Sequence, residues 1–408
     1  MTQPTLNNQR LDYLDAVRAF ALLLGIVFHA SLSFMPIFIG WAVMDISTSS
    51  AVPAFILISH SFRMELFFLM AGFFSCMVFR QQGAKTFVVS RTLRIAIPFV
   101  VGWFILRPLI VSGWIMGAAS LRGDVDIGSA LLAGVATLGT LPNDFLTGTH
   151  LWFLYYMLLL TVVTLLARYI INLHTPIKNC ITQLADKVLY LLCDSPFAII
   201  ALAIPTVACL WFMDHWGVDT PDKSLIPHIP VTLLYGGTFL FGWLMRRQVS
   251  CLDSFSRITG FKVVLCIASV AVSLQLAGYE RQTGLPLYQW LKAGFVLSYA
   301  LMMWTLIALT LGLFKALFKR PSKTLRYLAD ASYWLYLIHL PIVVWLQIAF
   351  AELPLYWTIK WALISGITIL ISLIFYDLCV RATAIGALLN GRRKPRLMAG
   401  AQNTPLPA

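Results

Sequence analysis

The chain has 408 residues, of which 59% are hydrophobic and 12% charged, with a formal net charge of +13. A mean hydropathy of +0.81 excludes a soluble globular domain and defines a polytopic membrane protein. No segment reads as a basic soluble module, so nucleic acid is excluded as a partner.

Ten apolar segments follow one another: 14–38, 54–79, 94–117, 150–172, 190–213, 229–246, 259–278, 290–314, 327–350 and 356–380. Each is near the ~20 residues that a helix needs to cross ~30 Å of hydrocarbon. They lack the polar alternation of barrel strands. The expected architecture is an all-α membrane protein, a polytopic bundle of about ten transmembrane helices. Residues 1–13 read as a cytoplasmic N-terminal segment, 14–381 as a single transmembrane domain, and 382–408 as a basic, disordered cytoplasmic tail. The first apolar run is too long for a cleavable signal peptide and lacks a small-residue cleavage site.

The first segment opens with Asp15 and Arg18 and carries His29, about 22 Å above its start. The second contains HSFRMELFFLMAGFF (60–74), which places His60, Arg63 and Glu65 roughly 9 to 16 Å below its outer end. His60 and Arg63 are three apart and share a helix face, whereas Glu65 points elsewhere. Glu65 is the only acid placed near mid-membrane. A basic loop from Arg80 ends in Arg91 and Arg94, spaced to meet one anion. Arg107 lies about 20 Å up the third segment. The apolar stretch 127–140 is short for a span and is expected as an interfacial helix; if it spanned, every later orientation would reverse. His150 and Trp152 open the fourth segment. Tyr336 and His339 lie in the ninth, the latter about 18 Å up.

Orientation follows from Lys and Arg. The stretches from Arg80 to Arg94, Arg168 to Lys187, Arg246 to Lys262, Lys315 to Arg326 and Arg381 to Arg396, with Arg10 and Arg18, hold 23 of the 30. The alternate loops are acidic, with Asp45, Asp124, Asp126, Asp144, Asp214, Asp219, Asp222 and Glu280. Both termini are therefore expected in the cytoplasm, as an even number of spans requires. Seven cysteines form no C-x-x-C pair, so free thiols and no metal site are expected.

Charged groups in hydrocarbon are costly unless they face one another or a polar cavity. His29, His60, Arg63, Glu65, Arg107, His150 and His339 all fall in one outer slab. Arg18, Arg91 and Arg94 lie at the cytoplasmic edge. The pattern describes a basic mouth inside and a histidine-rich pocket towards the outside, joined along the first segment. Each residue also has a plainer reading. Arg91 and Arg94 fit positive-inside anchors, and Arg63 with Glu65 fits a structural ion-pair set. His150 and Trp152 fit an interfacial belt, Tyr336 a packing position, and His339 an interhelical hydrogen bond.

With these residues the chain resembles the acyltransferase-3 family of integral membrane acyltransferases, and more narrowly its glucan branch. The resemblance is carried by LDAVRAFALLLGIVFH (14–29), HSFRMELFFLMAGFF (60–74), RTLRIAIP (91–98), HLWFLYYMLLL (150–160) and SYWLYLIHLP (332–341). The first holds the family's Arg, ten residues, His pattern as Arg18 and His29. The third holds its R-x-x-R as Arg91 and Arg94. The resemblance implies transfer of an acyl group from cytoplasmic acyl-CoA to an extracytoplasmic sugar hydroxyl at the bacterial inner membrane. In the glucan branch the group is succinyl and the acceptor a periplasmic glucan. It implies that His29 is catalytic and that Arg91 and Arg94 help hold the donor; Arg18, at the same basic mouth, is added to the donor site. Some family members use an acid on a late span; here Asp330 and Glu352 stand only at the ends of the ninth segment. Glu65 joins His29 as a candidate catalytic residue, and the acidic partner of His29 is left open.

The chemistry also stands on the residues themselves. A neutral histidine is a suitable base for a sugar hydroxyl near neutral pH. Arg63 or Arg107 can stabilise a tetrahedral oxyanion or bind a succinyl carboxylate. Paired arginines suit the phosphates of CoA. No G-x-S-x-G elbow, P-loop or G-x-G-x-x-G occurs, and no permanently bound cofactor is expected. The rival is a secondary transporter or flippase, disfavoured because no internal repeat is visible. Another polysaccharide or glycolipid acceptor fits the same chemistry, and no motif encodes an oligomeric state.

Overall fold

The computed structural model describes residues 12–120, 125–140, 149–320 and 322–397; Arg10, Arg122, Asp124 and Asp144 lie outside them. Every element among the described residues is helical. Helix α1 (Asp12–Ser31) is followed by a 32–51 segment whose only regular piece is the 3-10 turn Leu32–Phe34. Helix α2 (Val52–Arg91) starts with Pro53 in its first turn, where a missing N–H costs nothing. At Gly83, φ is +77°, a conformation open to glycine, and there the helix breaks. The chain turns back, so that Arg91 Nη2 donates to Ser75 Oγ at 2.7 Å. A π-helical turn, Thr92–Ala96, leads into α3 (Ile97–Ser120).

The remaining helices are α4 (Ile127–Ala136), α5 (Trp152–Asn172), α6 (Thr175–Asp194), α7 (Ala198–Trp211), α8 (Ile229–Arg247), α9 (Val249–Phe255), α10 (Gly260–Ala277), α11 (Tyr288–Leu317), α12 (Lys323–Phe350), α13 (Trp357–Phe375) and α14 (Ala384–Asn390). Among the described residues, seven helical runs are long and apolar enough to cross a membrane, or eight if α6 and α7 count as one broken span. One of them, Val52–Ser120, has 69 residues and contains both α2 and α3. Exposed aliphatic side chains such as Ile105, Leu166 and Ile267 cover the outer faces of α3, α5 and α10. Such a surface suits lipid.

Helix α1 is central, packing on α2, α11, α12 and α13. Helices α2 and α8 touch backbone to backbone. A Cβ at Gly72 would lie 1.9 Å from the Phe239 carbonyl oxygen, and one at Gly242 1.9 Å from that of Leu69. Small residues permit this approach. At one end of the bundle Arg18 Nη2 donates to the Ala329 carbonyl at 2.8 Å, and the Tyr333 hydroxyl donates to that of Arg94 at 2.6 Å. The start of α1, the start of α3 and the region after α13 thus share this basic end. At the opposite end, Lys360 and Asp45 form a buried ion pair of 2.7 Å that ties the 32–51 segment to α13.

Two sequence expectations need correction. Segment 190–213 is not one straight span: α6 and α7 meet at 116°. Pro196 removes a helical N–H and biases its predecessor out of the helical region, and Ser195 has ψ of 136°. The 127–140 stretch, expected at an interface, packs against α3. Its ten-residue helix α4 is about 15 Å long, and a Cβ at Gly134 would sit 2.4 Å from the Pro108 carbonyl oxygen, so α4 is wedged against the middle of α3. Residues 382–397 are ordered. They form α14 and a docked strap, in which Lys394 pairs with Asp330, Arg381 Nε donates to the Pro395 carbonyl at 2.7 Å, and the Leu397 N–H donates to Asp377 at 3.0 Å. Lys394 and Arg381 find carboxylates, while Arg392, Arg393 and Arg396 stay exposed. Residues 398–408 lie outside the described residues.

Candidate active site

A cavity of about 860 Å³ opens between α1, α2, α3, α5 and α12, within the ~300–1,000 Å³ common for ligand sites. It reaches from Arg18, Arg91, Arg94 and Asn390 at the basic end to His60, Thr220 and Asp222 at the other. His29, Arg63, Arg107 and His150 line it, as do Trp152, Tyr336 and His339. Of the site residues expected from sequence, only Glu65 is off the wall. It is fully buried, both carboxyl oxygens lack a hydrogen-bond partner, and it interacts electrostatically with Arg63, Tyr235 of α8 and Tyr299 of α11. Two residues along α2 from Arg63, it faces the interior and not the cavity, so a direct catalytic role for Glu65 is set aside.

Three imidazoles meet on the cavity wall towards the His60 end. The His29 and His339 ring centroids are 5.3 Å apart, and those of His150 and His339 are 5.7 Å apart. His339 Nδ1 bonds the Tyr336 carbonyl at 2.8 Å, and His150 Nε2 bonds the Leu337 carbonyl at 2.9 Å. A carbonyl only accepts, so these nitrogens carry the hydrogens. In the neutral rings, the opposite nitrogens, His339 Nε2 and His150 Nδ1, are lone pairs, buried without a partner. The Tyr336 hydroxyl donates to the His150 carbonyl at 2.8 Å, locking α12 to the start of α5. His29 is placed by stacking: its ring is 5.7 Å from Trp41 at 18°, with Nδ1 buried and unpartnered.

Arg63 lies beside them. Its guanidinium carbon is 4.4 Å from the Phe28 ring centroid, and Nε and Nη1 are buried without hydrogen-bond partners. Arg107 instead bonds Thr137 Oγ1 and lies over Trp103. Of the two arginines that the sequence offered for an anion, Arg63 has the uncommitted donors. His60 Nε2 is 3.0 Å from Thr220 Oγ1.

At the basic end Arg91 lies over Phe87 at 4.9 Å, and Arg18 is 3.5 Å from Asp15. Arg94 rests against Gly391, the left-handed residue that ends α14. Late acids do not reach the cavity. Asp330 and Asp377 hold the strap, and Glu352 is exposed. Sequence reading missed Asp377, in the last apolar segment, because it did not expect the strap that needs it. Among the described residues the one carboxylate on the cavity wall is Asp222, which sequence reading used only for topology; burial pushes its carboxyl above the usual range. In the same 212–228 segment, Asp214, Asp219 and His228 bring ligand atoms within 4.8 Å of one another. Both Asp219 oxygens already accept backbone N–H groups there. The seven cysteines are free.

A charged, histidine-lined cavity inside an all-helical membrane bundle is the frame of an integral membrane enzyme. The profile of the acyltransferase domain, Acyl_transf_3, matches residues 11–377, and the chain belongs to this acyltransferase-3 family. Curated relatives include the glucans biosynthesis protein C of Escherichia coli strain K12 and that of Escherichia coli O1:K1 / APEC. Each is 30% identical over 155 residues, which is 38% of this chain and 38% of the relative. The match therefore spans well under half the length of those proteins. No solved structure matches.

Proposed function

We propose that the chain is an O-acyltransferase of the bacterial inner membrane that moves a succinyl group from cytoplasmic acyl-CoA to hydroxyls of a periplasmic glucan. The observation that carries this reading is the single cavity with arginines at one end and His29 at the other. From Arg18 to His29 the rise along α1 is about 16 Å, a distance suited to a long thin arm whose phosphates stay at Arg91 and Arg94. The glucan acceptor is taken from the name of the relatives.

In this reading a sugar hydroxyl attacks the thioester carbonyl while His29 takes its proton. Arg63 faces the oxyanion, or the free carboxylate of the succinyl group. Collapse of the tetrahedral species breaks the C–S bond. The leaving sulfur takes the proton from His29, giving the sugar ester and free CoA. No group on the enzyme is acylated. The test is mass spectrometry of periplasmic glucans from cells lacking the gene, complemented with wild type or with His29→Ala. Succinyl substituents are expected to return with wild type alone. Restoration by His29→Ala at normal membrane abundance overturns the role of His29, and glucans unchanged by the deletion overturn the acceptor.

A further inference from the structure

We infer that Trp41 is the saccharide platform of an acceptor subsite, held beside His29 by Gln347. The inference deepens the acyltransferase reading above and rests on it for the sugar. The 32–51 segment leaves α1 just beyond His29 and folds back so that Trp41 lines the cavity. The indole and imidazole planes differ by 18°, with centroids 5.7 Å apart. Parallel rings in direct contact are ~3.5–4 Å apart, so the stack is offset and the indole face beside the imidazole is not fully covered. Trp114 of α3 meets Trp41 edge-on, at 5.2 Å and 69°, and lines the cavity next to it.

The indole is fixed by its polar atom. Trp41 Nε1 donates to Gln347 Oε1 at 2.8 Å, and Gln347 is fully buried on α12. The amide of the same side chain donates to the carbonyls of His29 at 2.9 Å and Ala30 at 3.2 Å. These carbonyls belong to the last turn of α1, where helical partners run out. One glutamine thus ties the Trp41 ring to the His29 backbone, and the two move together.

With its N–H committed, Trp41 offers a ligand only its face. The C–H face of a pyranose is matched to the negative face of an indole, while its hydroxyls project around the rim. A sugar laid on the open part of Trp41 brings a rim hydroxyl to the edge of His29. His60, Thr220 and Asp222 stand at the same end of the cavity as polar partners for the other hydroxyls. The arginines that suit CoA phosphates are at the opposite end, so this platform belongs to the acceptor. It selects a pyranose face, not one particular hydroxyl.

The test uses the purified full chain in lipid nanodiscs, succinyl-CoA and a pentasaccharide of β-linked glucose. In Trp41→Ala the acceptor KM is expected to rise about tenfold, equal to one stacked ring, while the donor KM moves less than about twofold. Trp41→Phe, which keeps an aromatic face, should recover most of the loss. An acceptor KM within about twofold of wild type in Trp41→Ala overturns the platform. Binding is read separately, without chemistry, from tryptophan emission during titration with the pentasaccharide. The wild-type emission should change, and that change should be largely lost in Trp41→Phe. An equal change in Trp41→Phe, or none in wild type, overturns the inference. Binding at Trp41 without acyl transfer by wild type would sustain the subsite and sink the acyltransfer reading instead.

Discussion

Arg63 reaches the cavity along a stretch of α1 that carries no side chain. A Cβ at Gly25 would lie 3.2 Å from Arg63 Nη1, tighter than ordinary contact, and Gly25 is one helical turn before His29. Gly25→Ala must therefore push the guanidinium by a few tenths of an ångström. Since a misplacement of ~1 Å can cost ~100-fold in rate, a loss of about 3- to 30-fold in the single-turnover rate is expected. The same substitution favours the helix by up to about 1 kcal/mol, so the melting temperature should hold or rise. Lower activity without lower stability distinguishes a displaced Arg63 from a damaged fold; an unchanged rate would remove Arg63 from the chemistry. At this scale the ionisable residues were readable in the sequence, because a charge inside an apolar segment is an anomaly that needs a cavity. Trp41 and Gln347 were not. Neither is unusual in its own segment, and they are 306 positions apart in the chain. Asp377 escaped for a similar reason, since its partners lie in a tail that reads as solvated.

Helices α2 and α8 show what positions the histidine end as an element. Gly242 on α8 has no room for a methyl group, because its Cβ would lie 1.9 Å from the Leu69 carbonyl oxygen. That atom belongs to backbone and cannot swing aside. Gly242→Ala has to part the two helices, at a cost of about 1–3 kcal/mol or more, and carries His60 and Arg63 on α2 with it. A lower melting temperature and reduced transfer are expected together. Gly237→Ala on the same helix has nothing within 4 Å of its Cβ and is the control; it should be neutral or stabilising by up to about 1 kcal/mol. Equal melting temperatures for the two variants would show that the crossing can relax. The helices themselves were legible, because any helix in lipid must keep an apolar outer face. Legibility failed where local breaks or tertiary contacts decide. Pro196 split an apolar run, Gly134 drew α4 onto α3, and Asp330 with Asp377 ordered a basic strap.

Across the whole molecule, the two ends of the cavity are built by different parts of the chain. The histidine end depends on α1, α2, α5, α12 and the 32–51 segment. The basic end is closed by α14, which contributes Leu389 and Asn390 to the wall. This division makes the two substrates separable by mutation. Gly391 has φ of +80°, which disfavours any side chain by about 1–2 kcal/mol. A Cβ there would also lie 1.9 Å from Arg94 Nη2. Arg94 now lies at the C-terminal end of α14, where free carbonyls favour a cation. Gly391→Ala has to drive the guanidinium from that seat while leaving His29, Arg63 and Trp41 untouched. The donor KM is expected to rise about 5- to 10-fold, the loss of one charge-assisted contact, with kcat and the acceptor KM little changed. Steady-state kinetics with varied succinyl-CoA and fixed glucan oligosaccharide measure this directly. A fall in kcat at unchanged donor KM would mean that the basic end governs the chemical step and not the hold on CoA, and the division of the cavity would have to be redrawn.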